Sequence, residues 1–187
     1  PMPVFTPQRW TLADRNQDEI GSVLSETFNS GRLKREDVWI TSKAWNTCHR
    51  PDLVVQEFEQ TLAQLKLDYL DLYLVHWPVA FLPNRGPYPK DDNGNFLVDP
   101  EEDFVGMWKA MGELVASGKV RNIGVSNFNI RRLKDVLAIE GAVKPAVNQV
   151  ELHPYLVQQE LLDFCAANGI HVTAYSPLGS GREPHLV

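Results

Sequence analysis

The chain has 187 residues, 43% of them hydrophobic and 22% charged, and a formal net charge of −6. This is ordinary globular composition with enough length for one sizeable core, and acidic residues spread along the chain leave no basic footprint for nucleic acid or an anionic membrane face. No apolar stretch approaches the ~18 residues of a spanning helix, the N-terminus lacks the regions of a signal peptide, and Cys48 and Cys165 lie far apart without a C-x-x-C spacing. A reducing compartment, by default the cytoplasm, is expected.

Residues 1 to 15 carry three prolines and no clean period, so they read as a lead-in with at most one short strand around Arg9 to Leu12. From Asp18 the apolar residues Ile20, Leu24 and Phe28 fall on one helical face and Gly31 follows, which predicts a helix over about 17 to 29. Val38 to Ser42 is a β-rich run that ends in Lys43. Pro51 opens a helix whose apolar stripe is Val54, Phe58, Leu62 and Leu65. The run Tyr69 to Val75 is continuously apolar apart from Asp71, as in a strand covered on both faces, and it ends at His76-Trp77-Pro78. Residues 79 to 102 form a long excursion, with a hairpin turn expected at Asp92 to Asn95. Phe104, Trp108, Met111 and Val115 make the next helix, and Val120 to Val125 a strand ending at Ser126-Asn127. A short helix at Ile130 to Leu137, a strand at Ala146 to Val150, a helix around Leu161 to Cys165 and a strand at Ile170 to Ala174 follow. Strand alternating with helix predicts βαβ units and a parallel sheet. Five such strands are too few to close an eight-stranded barrel of about 250 residues.

In parallel α/β folds, chemistry gathers at the carboxyl ends of strands. Those ends hold Lys43, His76-Trp77, Ser126-Asn127, Gln149 to Glu151, and Tyr175-Ser176, all polar or aromatic. Each alone has a bland explanation: a solvated lysine, a helix-capping Ser or Asn, a half-buried tyrosine. Together they read as one site with a cation, an imidazole, amide groups and an aromatic face. His76, Glu151 and His153 could instead hold a metal, but no H-x-H or H-E-x-x-H pair fixes two imidazoles on one element, so a metal is the weaker reading. Neither a G-x-G-x-x-G nor a P-loop pattern occurs, so a dinucleotide would need another mode of binding.

Five segments taken in order, Thr41 to Asn46, Tyr69 to Pro78, Ile123 to Phe128, Asn148 to Tyr155 and Ala174 to Ser180, resemble the successive signatures of the aldo-keto reductases. The resemblance runs from about Asn16 to Ser180 and implies a (β/α) TIM-type barrel that reduces aldehydes and ketones with NADPH bound across its mouth. It implies Lys43 and His76 as catalytic residues. It assigns Ser126, Asn127 and Gln149 to the carboxamide of the cofactor, Tyr175 to its nicotinamide ring, and Ser176, Leu178 and Ser180 to its pyrophosphate. Trp45, His76 and Trp77 fall where the family lines its substrate pocket.

The resemblance also has departures. Asp14 and Arg9 stand where the family places its proton-donating tyrosine and the aspartate paired with the lysine, and an exposed Asp with a pKa of ~3.9 is ionised at neutral pH. The family's earliest elements and everything after its seventh strand have no counterpart here. The organisation expected is thus a divergent lead-in at 1–15 and a partial barrel domain at 16–187. Two function classes follow: a carbonyl reductase of doubtful competence, or a non-catalytic remnant that binds a nucleotide or a partner. Strands 38 to 42 and 170 to 174 would be open edges, inviting self-association.

Overall fold

The computed structural model describes residues 4–5 and 16–179. Its strands are β1 (Val4–Phe5), β2 (Trp39–Ala44), β3 (Leu70–Val75), β4 (Val120–Ser126), β5 (Val147–Glu151) and β6 (His171–Tyr175). Its helices are α1 (Gln17–Asn29), α2 (Pro51–Leu65), α3 (Phe104–Ala116), α4 (Ile130–Leu137) and α5 (Gln159–Ala167). The strands form one sheet in the order β1-β2-β3-β4-β5-β6, and every neighbouring pair is parallel. The sheet is open: among the described residues β6 pairs on one side only. This is the incomplete, TIM-type α/β arrangement expected.

The helices form where the apolar stripes said they would, and local chemistry ends them. Pro51 sits in the first turn of α2, where its missing N–H costs nothing. The helix stops at Lys66, whose left-handed φ of 56° lets Lys66 N–H donate to Ala63 O and Leu67 N–H to Leu62 O. Asp103 caps α3 through Gly106 N–H, and Asn129 caps α4 through Arg132 N–H. Val54, Phe58, Leu65, Met107, Trp108 and Met111 are fully buried against the outer face of the sheet, where Ile40, Tyr73, Val75, Ile123 and Val125 project.

In-register neighbours share a face of a sheet, and residues two apart on a strand do too. Lys43 pairs with Leu74 and Leu74 with Gly124; Ser126 pairs with Gln149 and Glu151 with Tyr175. Lys43, Gly124, Ser126, Gln149 and Tyr175 therefore lie on the face turned away from the helices. Gly124 is required there, because a Cβ would stand 2.5 Å from Val147 O and 2.8 Å from Leu74 Cδ2.

The amino ends of three strands are tied by one carboxylate. Asp71, 1% exposed, accepts from Ile40 N–H at 2.8 Å, Arg35 at 2.8 Å and Arg121 at 2.9 Å. The two guanidiniums stand over the Tyr69 ring, 3.9 Å and 4.5 Å from its centroid. Asp71 is thus the polar exception in an apolar strand because it links β2, β3 and β4.

The expected strand at Arg9 to Leu12 lies outside the described residues; a two-residue strand, β1, is described at Val4–Phe5. One expectation needs revision. Because β1 pairs with Trp39 and Ile40, the start of β2 is not the open edge expected. A row of unpaired strand N–H and C=O groups recruits even a very short extended segment. The long excursion is pinned to the barrel. Phe81 N–H donates to Asn46 O, Asp99 N–H donates to Ala80 O, and Asp99 holds Arg50 by two bonds of 2.8 Å. The turn falls where expected, with the Asp91 carboxylate accepting from Asn93 and Asn95 N–H.

Candidate active site

Lys43 and His76 come together at the carboxyl ends of β2 and β3. Lys43 is 6% exposed, and His76 N–H donates to Ala44 O at 3.1 Å, continuing the ladder past the strand. Burial, then the Lys43 charge, then His49 push the His76 pKa down to about 3. His76 is therefore a neutral imidazole at ordinary pH, able to donate one N–H. Trp45 meets it edge-on at 4.9 Å, and the Trp77 ring lies nearly parallel to it at 6.3 Å. Trp45 is buried and Trp77 is 42% exposed, so one forms a wall and the other a rim.

The ends of β4, β5 and β6 are joined by a line of hydrogen bonds. Ser126 Oγ and Asn127 N–H both donate to Gln149 O, at 2.8 and 2.9 Å. Asn127 then turns into the left-handed region at φ 63°, which asparagine tolerates better than most residues. Its Nδ2 donates to His76 O at 2.9 Å and to Ser126 Oγ at 3.2 Å, while its Oδ1 accepts from the Tyr175 hydroxyl at 2.9 Å. Both amide hydrogens are committed, and Oδ1 keeps one lone pair. Burial and the Glu151 charge raise the Tyr175 pKa, so its phenol stays protonated and donating.

Five of the strand-end residues singled out from sequence, Lys43, His76, Asn127, Gln149 and Tyr175, thus share one rim. Ser126 is 1% exposed and acts as a brace between β4 and β5. Ser176 bends the chain at φ 48°, and Leu178 is 99% exposed. Ser180, Asp14 and Arg9 lie outside the described residues. A cleft of about 650 Å³ opens beside the rim, with Trp77, Asn127, Glu151, Gln158 and Tyr175 among its lining. His153 pairs with Glu151 at 3.3 Å, and no group of three or more potential metal ligands occurs among the described residues.

Sequence reasoning passed over Glu57. Its carboxylate, 3% exposed, accepts from Trp45 N–H at 2.9 Å. A signal was available: Val54, Glu57 and Thr61 share a helix face with the apolar stripe, so a charged residue falls on the buried side.

A sequence model of the Aldo/keto reductase family matches residues 13–183. The human protein "Aldo-keto reductase family 1 member A1" is 49% identical over 166 residues, covering 88% of this chain and 50% of that one. "Aldo/keto reductase slr0942" of Synechocystis is 48% identical over 169 residues, covering 90% and 51%. The chain therefore spans about half the length of these curated relatives. The solved structure of the aldose reductase from Schistosoma japonicum superposes with a TM-score of 0.85 at 43% identity, over 92% of this chain and 57% of that one.

Proposed function

This chain belongs to the aldo/keto reductase family, and from that premise we propose that its site serves the reduction of aldehydes and ketones to alcohols by hydride from NADPH. What supports the reading is the hydrogen-bonded line from His76 through Asn127 to Tyr175, with the Lys43 charge acting on His76. The donor set fits such a cofactor: a half-buried Tyr175 ring lines the cleft beside an Asn127 oxygen with a lone pair to spare. Tyr175 would face the nicotinamide, Ser126, Asn127 and Gln149 its carboxamide, and Ser176, Leu178 and Ser180 its pyrophosphate. NADPH supplies the hydride.

The rest of the chemistry belongs to the chain. Hydride addition builds negative charge on the carbonyl oxygen, and preorganised donors stabilise it. Neutral His76 orients that oxygen through its N–H, and Lys43 supplies the cation. Trp45 and Trp77 would line the pocket for the rest of the substrate. Asp14 stands where the family has its proton-donating tyrosine, so protonation is the weak step and turnover should fall far below the ordinary ~10 per second. Free thiols at Cys48 and Cys165 accord with a reducing cytoplasm. No helix among the described residues is long and apolar enough to cross a membrane.

Asp14 also favours a second reading, in which the chain binds the nucleotide or a partner without turnover. NADPH consumption with a reactive aromatic aldehyde, run beside a fluorescence titration with NADPH, separates the two. Slow turnover supports the reductase. Binding without turnover supports the second reading, and turnover near ~10 per second would show that Asp14 is no obstacle. No NADPH binding sinks the reductase and the nucleotide-binding reading together, leaving only a partner.

A further inference from the structure

Trp45 is fixed at several points. Its backbone N–H donates to Glu57 Oε2 at 2.9 Å, and its indole N–H donates to Pro87 O at 2.7 Å. Its ring meets His76 edge-on at 4.9 Å and Tyr88 at 5.3 Å. One end of this line is a carboxyl group on α2, behind the sheet. The other is the segment Pro87-Tyr88 of the long excursion; Trp45 links the two, and the His76 ring packs against it. Placing a carboxyl there is costly, since burial raises the Glu57 pKa from 4.5 to about 7. The nearby Cys48 thiol and Tyr73 phenol are also pushed up, and both owe part of that shift to the Glu57 charge. A leucine would fill the volume at lower cost, so the carboxylate is explained by what it holds.

We propose that Glu57 is a positioning residue of the carbonyl pocket: it fixes Trp45 and, through the Trp45 indole, seats the Pro87-Tyr88 segment, so that it selects aldehydes by size. The proposal rests on the reading of this rim as a carbonyl-reducing site. Glu57 lies outside the mouth and touches no reacting atom. Its effect should fall on substrates large enough to reach Trp45 and Tyr88, and should spare small ones.

The test compares Glu57→Leu with Glu57→Gln, which keeps an acceptor for Trp45 N–H. With a bulky aromatic aldehyde, Glu57→Leu should raise KM about tenfold with kcat changed less than about twofold, while a small aliphatic aldehyde shows no KM change. Glu57→Gln should restore the parent values. An equal loss for both aldehydes, or an unchanged KM, overturns the proposal. The Trp45 indole N–H resonance, assigned by its loss in Trp45→Phe, gives a readout that needs no turnover. It should move in Glu57→Leu and stay in Glu57→Gln. An enzyme without turnover would sink the reading of the site and still leave this resonance to decide the role of Glu57. Should Glu57→Leu fail to fold, the unaltered protein answers the question between about pH 6 and 8. The Trp45 indole resonance should move with pH there, and the movement should be absent in Glu57→Gln. An indole that stays put while the Trp45 amide moves overturns the coupling.

Discussion

Glu57 and His76 are both buried, and burial drives their pKa values in opposite directions: Glu57 up from 4.5 to about 7, His76 down from 6.5 to about 3. Between about pH 4.5 and 7 the folded chain keeps a proton on Glu57 that the unfolded chain has released, so this contribution is fully present below 4.5 and is lost by 7. Between about pH 3 and 6.5 the unfolded chain holds a proton that buried His76 refuses, so that contribution is present above 6.5 and is lost as pH falls. The two slopes oppose each other where the windows overlap. Denaturant unfolding across a pH series should show Glu57→Gln removing the decline toward neutral pH, worth roughly 3 kcal/mol for so buried a carboxyl. His76→Gln should remove the decline on the acid side. Identical profiles for Glu57→Gln and the unaltered protein would show that Glu57 is ionised throughout. Of the residues at work here, His76 and Lys43 were legible because they end strands. Glu57 was legible only as an acid on the buried face of a helix, because periodicity cannot supply the Trp45 N–H that explains it.

Elements were legible where a stripe spans several turns. The α2 stripe of Val54, Phe58, Leu62 and Leu65 defines its helix from Pro51 to Leu65, and β3 follows from a run of apolar residues with one meaningful Asp. Two residues, Val4 and Phe5, carry no period at all, so β1 is visible only through its partner. Gly21 is a second feature that only packing explains. A glycine inside α1 costs about 1 kcal/mol against alanine, yet a Cβ there would stand 2.0 Å from Gln64 O and 2.8 Å from Leu65 C. Those are backbone atoms of the α2 end, which cannot rotate aside. The clash outweighs the propensity gain, so Gly21→Ala should destabilise by about 1 to 3 kcal/mol as α1 is pushed off α2. A raised melting temperature for that variant would show that the helices separate freely.

At the scale of the whole molecule the open sheet matters most. β6 has a hydrogen-bonded neighbour only in β5 among the described residues, and its side chains are exposed or half-buried along their length. Such an edge is a template for another strand, so we propose that the isolated chain self-associates there. Light scattering should show particle mass rising with protein concentration, and a monodisperse monomer with a sharp, high melting transition would show that the edge is covered. The Asp71 carboxylate has a mechanical consequence for the same sheet. It rivets β2, β3 and β4 into a stiff plate, and β5 and β6 share a five-residue register of their own, Val147 to Glu151 against His171 to Tyr175. The plate and the flap meet at β4–β5, where the register spans only Val125 with Asn148 and Ser126 with Gln149. With so short a register, that seam is held largely by bonds outside it, from Ser126 Oγ and Asn127 N–H to Gln149 O and from Ala146 N–H to Ile123 O. Asn127, which reaches from His76 O on the plate to the Tyr175 hydroxyl on the flap, is the clasp across it.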